Sequence, residues 1–190
     1  MKNKQGAWES YKLSWGNLWK YFWILLLISF INLLLTIPGN IPYAGLVYGI
    51  LICGPLAYGL NYVKLKIIKG TKPKINDLFE AFKNYGDAVI AYLLSALIVI
   101  GGLILLIIPG IIFALKLSFV SYLIVDKKMK AVPAIKKSWN MTKGYTWTIF
   151  LIYLQGIFVV LAGLICLVVG VIPAIMLVGL AHASLYNSIK

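Results

Sequence analysis

Six apolar runs, parted by two alternating kinds of connection, make up most of this chain. They cover residues 21–37, 44–63, 88–108, 111–125, 145–169 and 174–186. Helices that cross a bilayer core need ~20 such residues, and the shorter run at 111–125 predicts little tilt or a locally thinned bilayer. After the first, third and fifth runs the chain turns without charge, through PGNIPYAG, Pro109-Gly110 and Gly170 to Pro173. Gly54-Pro55 predicts a kink within the second run, and Gly70 a stop beyond it.

The remaining connections are polar on one face and apolar on the other. In 7–20, Trp8, Tyr11, Trp15 and Leu18 recur at helical spacing, with lysines and Glu9 opposite. In 73–86 the stripe is Ile75, Leu78, Phe79 and Phe82, and Asp77 and Glu80 are spaced as a capping box. A third such helix is expected to begin at Asp126, with Pro133 in its first turn, Ile135 and Trp139 toward the membrane and Gly144 as its end. Short helices of this composition suit the headgroup region. The expected architecture is therefore all-α: a polytopic membrane protein with six transmembrane helices in three hairpins, each preceded by a short cytoplasmic interfacial helix. It forms one membrane domain over 1–190, with repeat-like units at 7–70, 73–125 and 126–187. Trp15, Phe82 and Trp139 occupy equivalent places, as do Pro42, Pro109 and Pro173. The first two units align without a gap, and the third needs an insertion.

Composition agrees with this pattern. Hydrophobic residues make up 62% of the chain and charged residues 12%, too greasy for one soluble core. The net charge of +13 comes from 18 lysines, with no arginine, against five acidic residues. Every lysine except Lys116 lies outside the apolar runs, in the segments that alternate with the chargeless turns. That is the positive-inside pattern, with both termini cytoplasmic in the cell membrane. The lack of arginine argues against nucleic acid as a partner. The expected partners are the bilayer and its anionic inner-leaflet lipids; a protein partner or a homo-oligomer is left open. The run at 22–37 lacks a small-x-small cleavage site and is expected to be kept as an uncleaved helix. Cys53 and Cys166, without ligand-type neighbours, read as small core hydrophobes.

The stretch IIPGIIFALKLSFVSYLIVDKKMKAVPAIKKSWNMTKGYTW carries a further pattern: Pro109, Gly110, Lys116, Asp126, Ala134, Ser138, Trp139, Thr142 and Gly144. It resembles the membrane domain found beside some glycerophosphodiester phosphodiesterases, and related bacterial integral-membrane families of unassigned activity. LFEAFKNYG and the closing LYNSIK extend the likeness over most of the chain. The resemblance implies a membrane domain. It does not bring the phosphodiesterase activity, since the catalytic barrel and its metal-binding carboxylates have no counterpart here.

Lys116 is the most informative single residue. It lies roughly 15 Å deeper along a helix than Asp126, where a lysine costs at least ~2.5 kcal/mol to insert. It is either an anion-facing group, such as one receiving a lipid phosphate, or a lysine paired with Asn32, Gln155 or backbone carbonyls. His182, the lone histidine, reads as a hydrogen-bonded packing residue near the cytoplasmic end of the last run. Lys116, Asn32, Gln155 and His182 are thus the candidates for a lipid headgroup or ligand, and Trp15, Lys136, Lys137, Trp139 and Lys143 those for the interface. No carboxylate falls within a run, which argues against proton- or cation-coupled transport. No nucleophile has a histidine base at hand, and neither a metal nor a cofactor is expected. The sequence points to a non-enzymatic lipid-interacting or accessory membrane module. The alternative is a small permease, flippase or resistance protein for a lipid-like molecule.

Overall fold

The computed structural model describes residues 6–40, 44–165 and 170–190, and among these every regular element is helical. Pro42 and Cys166, singled out above, fall outside that set. Ten α-helices follow in order: α1 (Ala7–Lys20), α2 (Phe22–Thr36), α3 (Ala44–Tyr48), α4 (Gly54–Ile68), α5 (Tyr85–Leu105), α6 (Ile107–Leu117), α7 (Val120–Lys127), α8 (Ala131–Met141), α9 (Thr146–Ile165) and α10 (Val171–Ile189). A π-helical turn at Gly49–Cys53 joins α3 to α4, and a 3-10 helix at Ile75–Asn84 leads into α5.

Five described segments are long and apolar enough to cross a membrane, the mark of a multi-pass membrane protein: Phe22–Gly39, Ile75–Leu105, Ile107–Lys127, Thr146–Leu164 and Val171–Ile189. The second expected run is missing from this set. Its helix is divided by the π turn, which falls just ahead of the Gly54-Pro55 pair, and α4 itself carries Lys64 and Lys66.

Burial divides the helices into two kinds. In α7 every residue from Val120 to Val125 is buried, and α10 buries a continuous run from Leu180 to Tyr186. In α2 only Leu25 and Ile28 are buried, and in α5 only Ala88, Ala91 and Gly102. A helix apolar all round but exposed in the protein is one meant for lipid. The core therefore lies where α7, α10 and α4 meet, within a ring of lipid-facing helices. Phe119, Tyr122, His182 and Tyr186 form an aromatic cluster there, with ring centroids 5.0 Å apart for Phe119–His182 and 4.8 Å for Tyr122–Tyr186.

Several local expectations change. The turn between α5 and α6 falls at Leu106, which is extended, and Pro109 sits in the third position of α6. Pro133 and Pro173 hold the same position in α8 and α10. The first four N–H groups of a helix have no intrahelical partner, so proline loses nothing there. Asp126 lies in the last turn of α7 instead of opening the next helix, and the chain leaves through Lys128 in the left-handed region (φ 48°). The buried stripe of α1 is Ala7, Ser10, Tyr11, Ser14 and Leu18. Trp8 and Trp15 are exposed, because the small residues beside Tyr11 let α1 pack closely against its neighbours. Asp77 does not cap through Glu80: it accepts from the Lys74 amide at 2.8 Å and pairs with Lys66 at 2.8 Å, while Glu80 pairs with Lys83.

Candidate functional site

The four residues nominated for a ligand stand in four different places. The Lys116 ammonium lies over the Trp139 ring, 4.2 Å from its centroid. Asn32 lines a 360 Å³ cavity between α2 and α10, and its Oδ1 is buried without a partner. Gln155 lines a 450 Å³ cavity beneath Trp8, Tyr11, Lys12 and Trp15 of α1, with its Oε1 likewise unpaired. His182 lines a third and larger cavity, of 520 Å³. Of the interfacial set, Trp15, Lys136, Lys137 and Lys143 are exposed, and Trp139 is half-buried by Lys116.

Lys116 is held by α8 in two ways. The α6–α7 break at Ser118–Phe119 ends the regular helical pairing nearby. The Lys116 carbonyl accepts from the Ser138 hydroxyl at 2.7 Å and the Thr142 hydroxyl at 3.4 Å. Ser138, Trp139 and Thr142, three members of the pattern noted above, thus all act on this one residue. They dock α8 against the interrupted span.

The 520 Å³ cavity has the most chemistry. Four helices line it, each with residues three or four apart: Asn61 and Lys64 of α4, Ser118 and Tyr122 at the α6–α7 break, Tyr153 and Gly156 of α9, Gly179 and His182 of α10. Its volume is in the range of small-molecule sites. Lys64 is its centre. A methyl group on Gly179 would come within 2.7 Å of the Lys64 ammonium nitrogen, so the absent side chain makes room for the charge. No described residue makes a hydrogen bond or ion pair with that ammonium, and no carboxylate lines the cavity.

The neighbours of Lys64 are partly committed. Asn61 donates to Ser121 at 3.0 Å, and Ser118 returns its hydroxyl to the Leu115 carbonyl at 2.8 Å. The Tyr122 hydroxyl is 3.3 Å from His182 Nδ1, while His182 Nε2 is buried without a partner. One end of the cavity is thus polar and hydrogen-bond rich. The other is lined by Ile157, Val160, Leu161 and Ile175, one to two turns further along α9 and α10 from Tyr153 and His182.

Lys64 follows the expected run 44–63 directly and stands inside the bundle. Its true position had a signal: Leu65, Ile67 and Ile68 follow it, so it does not end its helix, and it shares a helical face with Asn61.

No protein-family model, curated protein or solved structure matches the chain. The functional reading therefore rests on geometry.

Proposed function

We propose that this protein is a six-span membrane module that interacts with anionic lipid of the inner leaflet and has no catalytic activity of its own. In this reading 44–63 supplies the sixth crossing, and α1, Ile75–Asn84 and α8 lie at the cytoplasmic interface. The supporting observation is that the connecting segments are knotted together by charge. Lys66 pairs with Asp77, Lys69 and Lys190 with Asp126, and Asp87 accepts from the Ala131 amide at 3.0 Å. These contacts gather the ends of α4, α7 and α10 with the starts of α5 and α8. Exposed Lys136, Lys137 and Lys143 flank half-buried Trp139 beside that knot. Each lysine near an anionic leaflet contributes ~1 kcal/mol. The likeness of the Ala-x-x-x-Ser-Trp-x-x-Thr-x-Gly segment to bacterial membrane domains fits the same reading.

The test is lipid co-purification, with Lys127, Lys128, Lys130, Lys136, Lys137 and Lys143 changed to glutamine. Anionic lipid retained per chain should fall while the helical content stays. An unchanged lipid complement would overturn the proposal. A second reading, movement of a lipid-like molecule between leaflets, is favoured by one feature: exposed Ile157, Leu161 and Ile175 leave the Lys64 cavity open toward lipid. A reconstituted flip assay with a headgroup-labelled lipid would decide between them.

A further inference from the structure

Lys64 poses a physical problem that the fold leaves unanswered. An ammonium group inside a helical bundle needs acceptors or water, and no described residue is hydrogen-bonded or ion-paired to this one. The arrangement around it is also built: glycine at 179 opens the space, and Asn61 and Tyr122 bring hydrogen-bonding groups to the same wall. A cation in a cavity that no carboxylate lines, with no hydrogen bond or ion pair to a described residue, describes a place for an anion.

The rest of the cavity says what the anion is attached to. Val160 and Leu161 lie about two turns further along α9 than Tyr153, and Ile175 about two turns back along α10 from His182. The apolar end therefore extends along the helices, away from Lys64. Ile157, Leu161 and Ile175 are exposed as well as cavity-lining, so the space opens sideways to the lipid-facing surface. An occupant with an aliphatic chain enters from that side.

We infer that the cavity between α4, α7, α9 and α10 binds a single-chain anionic amphiphile, with its phosphate or carboxylate on Lys64 and its chain along Val160, Leu161 and Ile175. This deepens the lipid-interacting reading and rests on it. It differs in being a stoichiometric site and not a charged surface.

The experiment is a titration of the full chain in neutral detergent, read by native mass spectrometry. The probes are lysophosphatidic acid, lysophosphatidylcholine of the same chain length, and inorganic phosphate. Wild type should take up one lysophosphatidic acid saturably, and lysophosphatidylcholine at least about ten-fold more weakly. Lys64→Met should weaken the anionic lipid about ten-fold or more, since a charge-assisted hydrogen bond is lost. Val160→Phe, which fills the apolar end and leaves the charge alone, should weaken it too. If inorganic phosphate binds alone in a Lys64-dependent way and displaces the lipid, the anion site stands and its source is the free ion. Equal binding of both lysolipids, or Lys64→Met and Val160→Phe both binding as wild type does, overturns the inference. Lipid lost on neutralising residues 127–143 tests only the surface; saturable binding that depends on Lys64 tests only the cavity.

Discussion

Lys116 meets Trp139 face-on, its ammonium 4.2 Å from the ring centroid, while its own carbonyl is taken by Ser138 one residue earlier in α8. A cation over an indole in a desolvated setting gains ~2 kcal/mol. A double-mutant cycle on thermal unfolding, with Lys116→Met and Trp139→Leu, should return a coupling of about 1–2 kcal/mol. Ser138→Ala should cost about 1 kcal/mol by itself, for the lost hydroxyl bond. A coupling near zero would mean that the lysine reaches elsewhere in lipid.

Asp126 joins the ends of three helices: Lys69 beyond α4, Tyr186 in α10 and Lys190 at the close of the chain all donate to it. Removing one side of a buried pair costs about 3–5 kcal/mol. Both lysines here reach solvent, so Asp126→Asn should cost less, about 2–3 kcal/mol. Burial opposes the charge on Lys69, but the Asp126 carboxylate outweighs it and the lysine's pKa is raised. A raised lysine contributes its full stability below the unfolded value of about 10.4 and loses it as pH climbs through the folded value. The gap between wild type and Asp126→Asn should therefore stay level through neutral pH and start to close only above about pH 10. Chemical denaturation across that range checks it.

Gly59 lets the 3-10 segment Ile75–Asn84 rest on α4. A Cβ there would lie 1.7 Å from the Leu78 carbonyl oxygen, a backbone atom that cannot turn aside. Gly59→Ala should lift the segment off the helix, at or above the ~3 kcal/mol top of the usual overpacking range. Limited proteolysis should then cut between residues 70 and 84. Gly16, mid-way along α1, has nothing within 4 Å of its would-be Cβ. Gly16→Ala should gain roughly 0.5–1 kcal/mol. Equal effects at the two sites would contradict the packing.

The apolar runs were legible because lipid exposure imposes long hydrophobic segments, and α2, α5, α9 and α10 fall where the pattern puts them. The second run was harder. Its Gly54-Pro55 pair marks a break, and the π turn falls just ahead of it, but the apolar pattern does not tell a kink from a change of helix type. The exits were legible only in part: Gly70 and Gly144 stop their helices with positive φ, but Asp126 reads equally well as a start or an end. The candidate site was least legible of all. Lys116 was conspicuous because hydrophobic residues surround it in sequence. Lys64 was not, because one further turn of helix beyond it looks like a basic tail until α10 is seen to supply Gly179 beside it.

Lys64 is half-buried and its ammonium makes no hydrogen bond or ion pair with a described residue, so its charge lowers the stability of the empty protein. An unsatisfied polar group costs about 1–3 kcal/mol when fully buried, and less when it keeps some exposure. Lys64→Met keeps the length and apolar stem of the side chain while removing the charge, so the variant should unfold later than wild type, by about 1 kcal/mol. A lysine kept only for packing would show the reverse, since its loss would remove a useful contact. Stability gained together with ligand binding lost is the signature of a residue held for function against the interest of the fold. Thermal unfolding of both proteins in the same neutral detergent, with and without lysophosphatidic acid, measures the two effects at once. Wild type should gain stability on adding the lipid, and Lys64→Met should not.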